Sequence, residues 1–399
     1  MRALVPHTRS ARGRRRAALG VMAASALALS ACAQGGGSGS GGDAIQIGAI
    51  VAETGPIAGA GKTFIHGARI AQEQINDGDL MGGGRQLELV EKEGSEDPAK
   101  SASVAAQLAA DQNIVASTCC ILSTVAGAAA PIAEKQEMPL VLWGATDLDL
   151  ASPPYVYRTV TMPQPANEKL ATDVVDSEDI ESVAYAVMTD NSGIVSQAEA
   201  FEQGFSDAGV DNKGQVGTLS TTTNFTSAAT DLINLDADAI AVVGTQSNAV
   251  GLIAALDDKG YDGQIVSGQT ISGSGVFDSQ PRALEGVPFP VYFLASEATG
   301  MGADFADAYE AEYGEEPDDF AAQGYMAIYT LATAIETIDG EVTRQSLSDA
   351  LGALEGIDET IYGTPVAFED GQLTAESAVK PVSYTAPDGV IAPWEPAAN

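Results

Sequence analysis

Gly59-Ala60-Gly61-Lys62-Thr63 is the first group of residues in this chain whose types could do chemistry. Glycines ahead of a Lys-Thr pair cradle nucleotide phosphates when four residues separate the first Gly from Gly-Lys-Thr. Pro56 holds that place here and Gly55 stands one residue too far, so a phosphate loop is excluded. The glycines read instead as a loop whose backbone comes close to a ligand or to the other lobe of the chain. His7 and His66 are the only histidines, and His66 has no cysteine or carboxylate cluster at ligand spacing. Neither a metal centre nor a His-dependent triad is therefore expected. Glu134 with Glu137, and Asp147 with Asp149, could pair as acid and base, but among 55 acidic residues a solvated face accounts for both. Ser123 lacks the Gly-x-Ser-x-Gly setting of a nucleophile elbow. Cys119 and Cys120 are adjacent and could join only as a vicinal disulfide, outside the usual Cα spacing; two small buried thiols are the simpler expectation. The residues thus predict no catalytic group, no cofactor and no metal.

The elements that must position these residues are legible as an alternation. Short β-branched runs (45–51, 87–91, 114–116, 140–143) alternate with helical stretches (64–76, 99–111, 125–137), the pattern of βαβ units on a parallel sheet. A second series follows Pro163 and Pro165, with strands expected at 183–187, 216–219, 239–243 and 265–267. The stretch Asp319 to Ile338 carries Phe320, Tyr325, Ile328, Leu331, Ala332 and Ile335 at helical spacing, and its aromatics read as core. Two doubly wound halves imply a cleft, with ligands beyond the carboxyl ends of the strands. That places the candidate loops after Val51, Ala116, Trp143, Val243 and Ser267.

The start of the chain gives an address. Six arginines between Arg2 and Arg16, an apolar run from Ala17 to Ala28 and small residues before Cys32 form a secretory signal, followed by a Gly/Ser run from Gly35 to Gly42. Leu29-Ser30-Ala31-Cys32 resembles the lipobox of bacterial lipoproteins, which implies cleavage after residue 31, lipid on Cys32 and a flexible tether over 32–43. Cleavage would leave 13 basic against 55 acidic residues, a formal charge of −42. Nucleic acid is thereby excluded as a partner, since binding phosphates requires clustered Lys and Arg. The remaining 368 residues, with 45% apolar content overall, suit two α/β lobes.

Laid out in this way, the chain resembles the branched-chain amino-acid binding proteins of bacterial ABC transporters. The resemblance runs nearly the whole length after Cys32 and is carried by Ile45-Gln46-Ile47-Gly48 before Thr54-Gly55-Pro56, His66-Gly67-Ala68-Arg69, Asp97-Pro98-Ala99-Lys100, Ala130-Pro131-Ile132-Ala133-Glu134, Gly144-Ala145-Thr146, Tyr157-Arg158-Thr159 and Gly324-Tyr325-Met326-Ala327. It implies the type I periplasmic-binding fold, an α/β architecture of two Rossmann-like lobes with parallel sheets joined by three hinge crossings. Lobe 1 is expected at 44–162 plus 292–361 and lobe 2 at 163–291 plus 362–399, with crossings near 158–165, 288–294 and 361–365. It also implies a monomer that binds a small carboxylate-bearing or branched-chain amino-acid-like solute between closing lobes and delivers it to ABC permease and ATPase subunits, anchored to the membrane through lipid. The alternatives are a sensing module that presents its bound state to a signalling partner, and a urea or amide binder of the same fold.

In that family a carboxylate is held by a Ser hydroxyl and a Gly-Ala-Thr loop, which maps onto Ser123, Gly144, Ala145 and Thr146. Ser123 starts a helix, so an anion there would meet free amides and the positive end of the helix dipole; a helix-capping role fits the same place. The amine side departs from the family. Gln269 stands where an acid pairs the ammonium, and Pro163 where a second acid often lies. An unpaired ammonium in a closed cleft would cost several kcal/mol, which disfavours an α-amino acid. Ala60, Ile194 and the Thr245-Gln246-Ser247 loop replace aromatic positions, Trp143 is gained either as a pocket wall or as a core or hinge aromatic, and Glu96 replaces a cysteine, so the family's first-lobe disulfide cannot form.

Overall fold

The computed structural model describes residues 44–395 except 56, 274, 376, 377 and 388. Cys32, the signal and the Gly/Ser run lie outside the described residues.

The first lobe begins with β1 (Ile45–Val51), α1 (Ala58–Asp77), β2 (Leu87–Glu93), α2 (Pro98–Ala110), β3 (Ile114–Cys119), α3 (Ser123–Lys135), β4 (Leu140–Leu142) and β5 (Val156–Arg158). Its strands pair in parallel in the order β2-β1-β3-β4-β5. Helices cover both faces of the central strands, and β3 and β4 are accordingly buried throughout. Local signals act as the sequence suggests: Asp97 caps α2 through the amides of Ala99 and Lys100, with Pro98 opening the helix.

The second lobe repeats the plan with α4 (Pro163–Ser177), β6 (Ser182–Met188), α5 (Ser192–Asp207), β7 (Asp211–Thr218), α6 (Thr226–Ile233), β8 (Ala239–Val243), α7 (Gln246–Asp258) and β9 (Gln264–Ser267). Its parallel order is β7-β6-β8-β9. Two short helices, α8 (Val276–Ser279) and α9 (Pro281–Leu284), then lead to β10 (Phe289–Val291).

The chain returns to the first lobe through α10 (Met301–Tyr313), α11 (Asp319–Glu336), α12 (Arg344–Ala353), β11 (Gly356–Ile357), β12 (Val366–Glu369) and β13 (Gln372–Thr374). The last pieces, β14 (Lys380–Thr385) and β15 (Val390–Pro393), join β10 in a separate antiparallel sheet whose Phe289, Val382 and Tyr384 pack into the second lobe's core. α1 and α11 meet backbone to backbone. A Cβ on Gly67 would fall 1.8 Å from the Ala321 carbonyl oxygen, and one on Gly324 2.0 Å from that of Phe64.

Four expectations are corrected. Gly59-Ala60-Gly61 are not a loop but the first turn of α1; a Cβ on Gly59 would lie 3.3 Å from Gln246 Oε1 of the second lobe, whereas the tightest approach, 1.9 Å from a Cβ on Gly61, is to the Ala52 carbonyl oxygen of the same lobe. β3 runs to Cys119, so the loop expected after Ala116 begins at Cys120. The third crossing lies between Thr374 and Lys380 instead of at 361–365: β12 and β13 extend the first sheet to eight strands, with β13 parallel to β5. Phe368 and Leu373 explain the difference, because both are buried in the first lobe's core. The chain also passes between the two lobes' sheets at 159–162 and 292–294. Cys119 and Cys120 are both buried, as expected, but their sulfurs are joined as a vicinal disulfide, with Cys120 held at a φ of 97°.

Candidate ligand-binding cleft

Where β1 has β2 on one side and β3 on the other, the loops leaving β1 and β3 part and open a crevice at their carboxyl ends. β6, between β7 and β8, makes the same opening in the second lobe. One cavity is lined from both. Ile57, Ile121 and Leu122 come from the first lobe's crevice, and Asn191, Thr245 and Gln246 from the second's. Its volume is about 60 Å³, room for on the order of four or five waters and so for a small solute. None of its lining residues carries a formal charge. Phe64 and Phe320, 5.6 Å apart between ring centroids, supply its aromatic surface. A larger groove of about 810 Å³, between α1, α10 and α11, takes residues from the first lobe alone.

Ser123 is the first residue of α3, yet it does not cap it; the N-cap is Leu122, which makes no side-chain bond. The Ser123 Oγ instead accepts the Thr146 and Asp147 amides at 3.2 and 3.1 Å, tying the helix start to the Gly-Ala-Thr loop. With its oxygen accepting two protons, the hydroxyl keeps its own proton to give. The first amides of α3 are donors without an intrahelical acceptor, so this corner presents donors to an acceptor on a ligand.

Thr146 joins the lobes. Its Oγ1 accepts from Gln197 Nε2 at 3.1 Å and its carbonyl from Gln164 Nε2 at 3.1 Å, both from second-lobe helices. Gly193 is pressed into the same seam: a Cβ there would lie 2.4 Å from Ser123 Oγ and 2.7 Å from Thr146 Oγ1. The lobes are therefore shut.

Behind the loop lies Arg158, fully buried, with Nη2 donating to the Asp147 and Leu148 carbonyls at 2.7 and 3.3 Å. Burial pushes its pKa down to about 10, which leaves it cationic at neutral pH. On the other side, Asp319 is buried at the start of α11, accepting the Tyr292 and Phe293 amides and Gln323 Nε2. Burial pushes its carboxyl up to about 6 against those hydrogen bonds. Glu96, which excludes the family's cysteine, accepts the Ile57 amide at 2.9 Å and holds the approach to α1.

Of the residues singled out in the sequence, Ala60, Ser123, Gly144, Thr146, Ile194, Gln246 and Gln269 line the cavity. Trp143 and Ala145 do not. Trp143 is buried behind it, stacked on Phe64 at 5.5 Å, and Ala145 is packed in the core with no exposed surface. The sequence reading missed Phe64, Phe320, Gln197 and Gln323, all on helices with regular apolar spacing. The usable signal was position, since Phe320 stands in the first turn of α11 and Phe64 in the second of α1, near the cleft end of each helix. Among the described residues no cluster of side chains could hold a metal ion, and no helix is long and apolar enough to cross a membrane.

A family model described as periplasmic binding protein matches residues 44–384. The chain belongs to the periplasmic binding protein family. Its structure is similar to that of the leucine binding protein LivK of Thermotoga maritima, with 21% identity and a TM-score of 0.78 over 87% of this chain and 97% of that one. It is similar also to LivJ of Streptococcus pneumoniae in complex with isoleucine, at 24% identity and a TM-score of 0.75 over 87% and 97%. A Rhodopseudomonas palustris ABC transporter solute binding protein in complex with 4-hydroxybenzoate gives 20% identity and 0.78 over 88% and 96%. These likenesses establish the type I periplasmic-binding fold.

Proposed function

We propose that this periplasmic binding protein is the lipid-anchored receptor of an ABC importer and that its cleft takes a small carboxylate without an ammonium group. The cavity at the meeting of the two strand crevices, walled by both lobes and free of charged side chains, carries this reading. A ligand there stabilises the shut form by its contacts to both lobes, and a permease reads that form. No bond is made or broken.

The donors at Ser123, the first turn of α3 and the positive charge of Arg158 behind the loop favour an anion. Gln269, where the family's amino-acid binders carry an acid, lines the cavity as a neutral amide, so an ammonium would enter unpaired. Among the similar structures the bound molecules include both isoleucine and 4-hydroxybenzoate, and the neutral lining sides with the second kind.

A thermal-shift panel on the full chain checks the ligand class. At a hundredfold excess over Kd a ligand adds about 2.7 kcal/mol, so benzoate or 4-methylpentanoate should raise the melting temperature where leucine does not; a shift with leucine alone would overturn the reading. The anchor has its own check. Cys32→Ser should move the protein from the membrane fraction to the soluble one, and unchanged fractionation would remove the lipid from the proposal.

A further inference from the structure

Gln323 is fully buried and lines the cavity, and one half of its amide is spoken for. Its Nε2 donates to Asp319 Oδ2 at 3.0 Å. A carboxylate accepts only, so Asp319 fixes which way round the amide stands. Asp319 is itself held from beneath by the Tyr292 and Phe293 amides at 2.9 Å and does not line the cavity. The other half, Gln323 Oε1, has no hydrogen-bond partner. Two more carbonyl oxygens in the same wall, those of Gln197 and Gln269, also lack one.

Buried polar atoms are almost always paired, and one left unpaired costs the whole of its lost hydration. An acceptor fixed at the wall of a cavity, in a conformation where the lobes are shut, is completed by what the cavity holds. We infer that Gln323 reads an uncharged hydrogen-bond donor on the ligand, a hydroxyl or an amide N–H, and is a specificity-determining residue of this cleft. The donor is uncharged because the lining offers no carboxylate to neutralise a cation. This rests on the cavity being the ligand site and refines the ligand class from a small acid to one that also donates. A ligand without the donor would leave Gln323 Oε1 dry and unpaired, and sites built to meet a hydroxyl or N–H discriminate strongly against analogues lacking it.

Calorimetric titration of the full chain, purified in detergent, with benzoate, the three hydroxybenzoates and benzamide tests the inference. At least one hydroxybenzoate should bind about 10- to 100-fold more tightly than benzoate. Gln323→Met, which keeps the side chain's length and removes its amide, should erase most of that advantage. Gln323→Leu serves as a second variant should the first not fold, with unfolding followed by circular dichroism, and should reduce the same advantage. Equal affinity for benzoate and every hydroxybenzoate would overturn the inference and leave the carboxylate reading standing. Binding of benzamide alone, lost in Gln323→Met, would overturn the carboxylate reading and uphold the donor. If the hydroxybenzoate advantage survives in either folded variant, Gln323 is not the reader.

Discussion

Ser123 shows how one hydroxyl serves two purposes at the scale of a residue. By accepting the Thr146 and Asp147 amides it fixes the loop, and this leaves its proton directed to something other than protein. Ser123→Ala would remove a donor to a charged group and orphan two amides, and a hydrogen bond to an ion contributes about 1.5–3 kcal/mol. Affinity for a carboxylate should fall about 10- to 100-fold, and Thr146→Val, which removes the acceptor of Gln197, should also weaken it; calorimetry giving wild-type affinity for both variants would dissolve this site. Ser123, Thr146 and Gln269, singled out through the resemblance, line the cavity, each in a loop or at a helix start beside a strand end. Trp143 does not: its place one residue before the Gly-Ala-Thr loop allowed a ligand wall, while the stack on Phe64 makes it the support of one. Type and position alone do not distinguish a ring that lines a cavity from the ring behind it.

Among the elements, the seam between α5 and the first lobe sets how far the cleft can shut. Gly193, second residue of α5, leaves no space for a Cβ against Ser123 and Thr146. Gly193→Ala should therefore hold the lobes apart by about the width of a methyl group. It should lower ligand affinity at least tenfold and abolish the ligand-induced decrease in radius of gyration by small-angle X-ray scattering; normal compaction in the variant would show that the seam has slack. The alternation of strands and helices was read correctly because buried parallel strands are near-continuous apolar runs. The first turn of α1 was read as a loop because glycines carry low helix propensity. Tertiary contact reverses that preference, since only glycine allows Gly61 to approach the Ala52 carbonyl.

Across the whole molecule two buried titrations oppose each other. Burial, with Lys62 and Arg69 adding to it, pushes His66 down from 6.5 to about 4, while burial pushes Asp319 up from 3.8 to about 6. Native His66 binds fewer protons than the unfolded chain between about pH 4 and 6.5, so its contribution grows as pH rises and is lost on acidification. Native Asp319 binds more protons over pH 4 to 6, so its contribution shrinks as pH rises. The two slopes offset one another. His66→Gln leaves Asp319 unopposed, and urea unfolding from pH 4 to 6.5 should show the variant losing stability relative to wild type as pH rises; parallel curves would mean that His66 titrates normally. Sequence reading set His66 aside for lack of a ligand cluster, and nothing in spacing could have shown its stack on Tyr313 at 3.7 Å.

The late return of β12 and β13 to the first sheet bears on how the protein is made. Gln372 pairs with Arg158, and the Gly371 carbonyl takes the Arg158 amide, across more than two hundred intervening residues. During synthesis β5 therefore waits as an open edge while the second lobe's four-stranded sheet and its helices emerge. The first lobe, although begun first, is closed only when β13 emerges, just before β14 and β15 complete the second, and a ribosome paused between residues 158 and 372 holds a chain whose exposed strand is open to pairing with a neighbour's.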